Sequence, residues 1–177
     1  MGDIPSVDNM PTCKFNFPTN GGNIQANTPF TIVLVCILLV CSLVHLRSCA
    51  FQNTQGMQTG AFTNAAATYF AAPQQINPNG QVIGHNHVVV EEIKSMDSTE
   101  ATNPRVFAFF KGLNAVAANG QLSADVTAGL PEGVYRLSSI TSAANHQSVI
   151  VPVAQRGSID DAVYVRSLPS YSSFTWI

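Results

Sequence analysis

The chain has 177 residues, of which 10% are charged, and a formal net charge of −2. An average soluble domain is about 25% charged; here Asn, Gln, Ser and Thr fill the gap, which suits an extracellular β-rich protein better than a cytosolic enzyme. The length fits one domain able to bury a core without disulfides, and the lack of any basic cluster excludes nucleic acid as a partner.

In chain order, residues 1–32 form the first part of a β-domain. Met1 to Thr28 holds one lysine and no apolar stretch, so no signal peptide is expected there. Lys14-Phe15-Asn16-Phe17 alternates as a short strand closed by Pro18, Asn20-Gly21-Gly22 is a turn, and Ala26 to Ile32 opens an ordinary strand. Residues 33–52 are an apolar insert. From Pro29 to Leu46 the chain reads PFTIVLVCILLVCSLVHL, close to the lower limit of about 17–25 residues for a membrane span. Thr31, Ser42 and His45 interrupt it, and only Arg47 flanks it with charge. Three of the four cysteines, Cys36, Cys41 and Cys49, fall in this run; with Cys13 they show no zinc-ligand spacing and no readable disulfide framework.

Residues 53–166 carry the rest of the β-domain. Gly60-Ala61-Phe62 and Thr68-Tyr69-Phe70 are brief strand candidates, and Asn77-Pro78-Asn79-Gly80 is a turn. Gln81 to Ile93 is the strongest strand. Thr102 or Asn103 then caps a helix near residues 104–118: Pro104 suits its first turn, Val106, Phe107, Phe110, Leu113, Asn114 and Ala117 follow at helical spacing, and Asn119-Gly120 ends it. Its phenylalanines are expected in the core. Gln121–Val126, Val134–Ile140, Ser148–Val153 and Ala162–Val165 are further strands, with a turn at Leu130-Pro131-Glu132-Gly133, and residues 167–177 are an irregular tail. Short strands between turn signals predict a mainly all-β fold, a sandwich of antiparallel strands with one helix.

Chemistry concentrates at Gly84-His85-Asn86-His87. Alternate strand residues share a face, which puts His85 and His87 side by side, about 7 Å apart along the strand. His146, in Asn145-His146-Gln147, supplies a third imidazole. Three such nitrogens make a Zn or Cu site; the competing reading is a hydrogen-bonded polar cluster that fixes loop geometry. Glu91 lies further along the same face as a charge partner. Asp160-Asp161 is a solvated turn or a calcium ligand pair, and Tyr69-Phe70 is core or a sugar-stacking platform. No Gly-x-Ser-x-Gly, P-loop or Gly-x-Gly-x-x-Gly occurs, so no catalytic residue is assigned. No Asn-x-Ser/Thr glycosylation sequon occurs either.

Several segments, in order, resemble a family of small secreted fungal proteins that often carry a mistaken label as small-subunit ribosomal protein seventeen. They include Phe17-Pro18-Thr19-Asn20-Gly21-Gly22, Tyr69-Phe70-Ala71-Ala72-Pro73-Gln74-Gln75, Gly84-His85-Asn86-His87, Phe107-Ala108-Phe109-Phe110-Lys111-Gly112-Leu113-Asn114, Gly129-Leu130-Pro131-Glu132-Gly133-Val134-Tyr135-Arg136 and Ala144-Asn145-His146-Gln147. The resemblance spans most of residues 3–165 and implies secretion, an all-β domain and no established enzyme activity. The order Gly-His-x-His, Leu-Pro-x-Gly, Asn-His is also similar to some bacterial extracellular β-domains, which implies that the three histidine regions converge. Three features depart from the fungal pattern: the missing signal peptide, the apolar run, and the tail after Arg166. Val33 to Gln52 therefore reads first as a translated intron of twenty codons, since every valine codon begins GT and a glutamine codon can end in AG. It reads second as a genuine membrane segment. Without the run, Cys13 would pair with a cysteine in a missing N-terminal part.

The expected function is that of a secreted or cell-wall-associated binding protein, not an enzyme, with an unknown extracellular or cell-surface ligand. The alternatives are a Cu or Zn protein, or copper-dependent oxidative enzyme, using His85, His87 and His146, and a single-pass membrane protein with an exoplasmic β-domain if residues 33–46 are genuine.

Overall fold

The structure, a computed structural model, describes residues 2–38, 57–58 and 73–170, with the backbone alone for 36–38 and 57–58. The strands are β1 (Pro11–Phe17), β2 (Asn23–Gln25), β3 (Phe30–Leu38), β4 (Met57–Gln58), β5 (Gln75–Ile76), β6 (Val82–Ile93), β7 (Phe109–Leu113), β8 (Gln121–Val126), β9 (Gly133–Ala143) and β10 (Ala162–Leu168). β1, β3 and β8 form an antiparallel sheet; the larger sheet runs β2-β10-β9-β6-β4, with β5 and β7 also on β6. Among the described strands the β2–β10 and β4–β6 pairings are parallel, and Gly2 makes an isolated parallel bridge to Gln74.

Period-two alternation builds this sandwich. β8 buries Leu122, Ala124 and Val126 and exposes the residues between them. These side chains, with Phe15, Ile32 and Leu34, meet Val88, Val90, Leu113, Tyr135, Leu137, Val163 and Val165 of the other sheet in one core. Each buried Leu, Val or Phe of this kind stabilises by about 1.5–3 kcal/mol. Tyr135 keeps its hydroxyl satisfied by donating to the Pro131 carbonyl at 3.1 Å.

β3 continues six residues past position 32. Val33, Leu34 and Val35 pair with Ser123, Leu122 and Gln121 of β8, and Leu34 is fully buried. The start of the apolar run is therefore sheet, while residues 39–52 lie outside the described residues. Among the described residues no helix is long and apolar enough to cross a membrane. At the other end β10 reaches Leu168, two residues beyond the boundary expected at 166, and buries Ser167 with its hydroxyl on the Leu130 carbonyl at 3.0 Å. The expected strands at 60–62 and 68–70, and with them the Tyr69-Phe70 platform, lie outside the described residues.

The helix expected over 104–118 does not form; the described residues contain no α-helix, only short 3-10 turns at Val7–Asn9 and Ala154–Arg156. Asn103 Oδ1 accepts from the Arg105 N–H at 3.0 Å, and the Val106 N–H returns to the Asn103 carbonyl, a turn rather than a cap. The Ala108 N–H then bonds the Val90 carbonyl, and β7 pairs antiparallel with β6. A buried strand leaves a row of backbone donors and acceptors that must be satisfied, and that demand outweighs helical spacing. The phenylalanines separate accordingly: Phe109 packs on the core, while Phe107 and Phe110 are 52% and 47% exposed.

Ser148–Val153 is not a strand either; it makes one bridge, Ser142 with Ser148. The backbone of Ile150 is taken by the side-chain amide of buried Gln74, whose Oε1 accepts from the Ile150 N–H at 2.9 Å and whose Nε2 donates to the Ile150 carbonyl at 3.0 Å. One side chain does there what a neighbouring strand would have done. Asp160 and Asp161 are latches rather than a solvated turn. Asp160 Oδ1 accepts from the Thr141 N–H at 2.7 Å, and Asp161 Oδ2 accepts from the Phe15 N–H at 2.9 Å, which ties the two sheets together. Cys13 is disulfide-bonded, and in the β1–β3 register its backbone stands opposite Cys36.

Candidate metal centre

β6 sorts its residues between two faces. Asn86, Val88 and Val90 face the sandwich core, where Thr141 Oγ1 lies 2.8 Å from the Asn86 side-chain carbonyl. His85, His87, Val89 and Glu91 therefore take the outer face of the larger sheet. Register sets their neighbours: His85 stands opposite Ser142 and His87 opposite Ile140 on β9, and His87 stands opposite Gly112 on β7.

His146 arrives from the turn that follows β9. The Ala143 N–H bonds the Gln147 carbonyl at 2.8 Å, the His146 N–H bonds the Ala143 carbonyl at 3.0 Å, and Asn145 Oδ1 accepts from the Gln147 N–H at 3.0 Å. This turn requires His146 to adopt φ of +62°, in the left-handed region. Such a conformation costs an L-residue about 1–2 kcal/mol, and histidine is one of the few non-glycine types enriched there.

The sequence thus places its three candidate ligands together. His85 lies 4.6 Å from both His87 and His146 between ring centroids, edge to face, while His87 and His146 stack at 5.4 Å. One ligand nitrogen from each ring can be chosen so that all lie within 4.8 Å of one another. Two nitrogens bound at about 2.0–2.1 Å to one ion are at most about 4 Å apart, so small ring movements of roughly 1 Å close the set. His85 and His87 are buried and His146 is exposed, so the ring nearest solvent has the most room to move.

Burial lowers the His85 pKa to about 4, with help from the neighbouring charges of His87 and His146. Burial also lowers that of His87, His146 adds to it, and a hydrogen bond to the Ile140 backbone acts the other way. Both rings are therefore neutral at pH 7, the form that ligates a metal. Ser142 Oγ, beside His85, is buried with no hydrogen-bond partner among the described residues, which suits a site where a further polar group belongs. Glu91 plays no direct part here. Its carboxylate accepts from Thr102 Oγ1 at 2.6 Å and from Arg136 Nε at 3.2 Å. Burial works to raise its pKa, yet these bonds and the Arg136 charge hold it low.

Two neighbours of the triad escaped the sequence reading. Phe110 stacks on the His87 ring at 5.4 Å and 23°, and Gly112 leaves the flank of that ring open. Read with period two, Phe109 to Leu113 would have revealed both. A Cβ on Gly112 would meet Asn114 Oδ1 at 3.5 Å and His87 Cδ2 at 3.6 Å, ordinary contacts, at a φ outside the left-handed region. Gly112→Ala is therefore expected to raise stability by about 0.5–1 kcal/mol in urea unfolding, by restricting the unfolded chain.

Two comparisons place the chain among known proteins. The family model described as the CLU5d N-terminal domain matches residues 49–167. A Colletotrichum graminicola protein named "Pathogenicity cluster 5 protein d" is 41% identical over 163 residues, covering 91% of this chain. The chain spans 30% of the length of that curated relative. The relative is fungal, as the resemblance implied, and neither match carries a ribosomal name. With two thirds of its length under the family model, the chain belongs to the CLU5d N-terminal domain family.

Proposed function

We propose that this domain is an extracellular module that binds one Cu or Zn ion through His85, His87 and His146, and that it acts by binding rather than by catalysis. The observation that carries the reading is the convergence of three imidazole nitrogens within 4.8 Å from two separate chain segments. Neutral imidazole suits both metals. A histidine held at φ of +62° where Gly or Asn would be less strained is consistent with a role for its side chain. The extracellular setting rests on the low charge and the small polar residues that replace it.

Calorimetric titration of the full chain with Cu(II) and with Zn(II) tests this. One ion per chain is expected, with binding lost in the His85→Ala/His87→Ala double variant. Because that variant opens a buried cavity, His146→Asn provides the second arm. Asn tolerates the left-handed turn, so thermal stability of the metal-free protein is expected to stay within about 0.5 kcal/mol of the parent while metal affinity falls. Equal metal uptake by parent and His146→Asn would leave the histidines as structural polar residues.

A further inference from the structure

Three protein ligands leave a four-coordinate ion, tetrahedral Zn or square-planar Cu(II), with an open fourth position, and the surroundings of the triad indicate what fills it. Phe110 stacks on His87 at 5.4 Å, and the Phe107 ring follows at 5.9 Å from Phe110, tilted by 54°. Both rings are about half exposed, and Val106 beside them is 65% exposed. Beyond Phe107 lies a groove of about 440 Å³, lined by Val106 and Phe107 with Thr102, Asn103 and Lys94. That volume lies within the range of small-molecule sites, about 300–1,000 Å³. An aromatic ledge therefore leads from a metal-ligand ring into a groove of ligand size. Val106, Phe107 and Phe110 give the ledge its apolar surface, and Glu92, Lys94, Thr102 and Asn103 add polar groups in the groove beyond it. A flat ring carrying one anionic oxygen satisfies both ends: the oxygen completes the metal's coordination, and the ring lies on the phenylalanines.

We infer that the metal ion held by the three histidines takes its fourth ligand from a small phenolic compound whose ring rests on Phe110 and Phe107. This rests on the metal-binding reading above.

The test uses the Cu(II)-loaded full chain and two probes. 4-Nitrophenolate has a ring and one oxygen donor and, being monodentate, does not chelate the metal away; azide takes an open position without a ring. Absorbance titration reads both. Each probe is expected to bind at one per copper. Phe110→Ala and Phe107→Ala are each expected to weaken 4-nitrophenolate about tenfold, as loss of one ring–ring contact predicts, and to leave azide within about twofold. Phe110→Leu, which keeps an apolar cover on His87, is expected to give the same pattern. Nitrophenolate affinity unchanged by these substitutions, or equal for copper-loaded and metal-free protein, would overturn the inference while copper and azide binding left the metal site standing. Failure of the chain to bind copper would remove both.

Discussion

Gly129→Ala is expected to destabilise the domain by about 2–5 kcal/mol, the sum of a left-handed backbone cost and an overpacking cost. Gly129 has φ of +66°, and a Cβ there would stand 2.4 Å from the Thr28 backbone nitrogen and 2.6 Å from its carbonyl oxygen. Those atoms cannot yield as a flexible side chain could. The Asn27 N–H donates to the Leu130 carbonyl at 2.7 Å, and the Gly129 N–H donates to the Val126 carbonyl at 3.0 Å. The clash therefore falls where the loop after β8 crosses the segment leading into β3. Gly157→Ala is the control. It shares φ of +66° but would meet nothing within 4 Å, and its ψ of −147° is a conformation close to glycine's own, so only a conformational cost of about 1–3 kcal/mol is expected. Urea unfolding of both variants reads the difference as a change of midpoint at constant slope. Equal losses would mean that backbone crowding contributes nothing at Gly129.

Acidification from pH 7 to pH 4.5 is expected to remove about 2–3 kcal/mol of stability from the metal-free domain, chiefly through His85. The sign follows from the direction of the shift. In the unfolded chain His85 titrates near its ordinary value of 6.5, and in the folded protein near 4. Between those values the unfolded state binds more protons, so stability is fully present above pH 6.5 and is lost as pH falls towards 4. His87 is lowered too and acts in the same sense. Chemical denaturation across this range checks the slope, and the His85→Ala/His87→Ala variant is expected to flatten it. Protons and metal compete for the same nitrogens, so a loaded centre is expected to release its ion over the same interval. A parent with stability constant from pH 7 to 4.5 would show that the rings are not desolvated as their burial implies.

The chain is informative about itself where local pattern and tertiary demand agree. Alternation identified β6, β8, β9 and β10, and turn residues at Asn77–Gly80 and Leu130–Gly133 marked their connections, because a half-buried strand needs one apolar face and glycine or asparagine where the backbone reverses. The same alternation put His85 and His87 on one face. Their meeting with His146 was foreshadowed by the order of motifs, whereas the 4.6 Å spacing of the rings came from the turn at Ala143–Gln147.

Agreement fails where a distant group supplies the backbone's hydrogen bonds. Phe107, Phe110 and Leu113 sit at helical spacing, yet the open edge of β6 drew Phe109–Leu113 into the sheet and turned Phe110 onto His87. Ile150 reads as strand, yet the Gln74 amide, 76 positions away, took its donor and acceptor. Asp160 and Asp161 read as surface turn, yet β9 and β1 took their carboxylates. Sequence by itself determined a β-rich chain of low charge with its histidines on one strand face and one turn. Tertiary structure alone decided what surrounds them, because the partner that satisfies a backbone group lies far along the chain and leaves no periodic trace near the residue it binds.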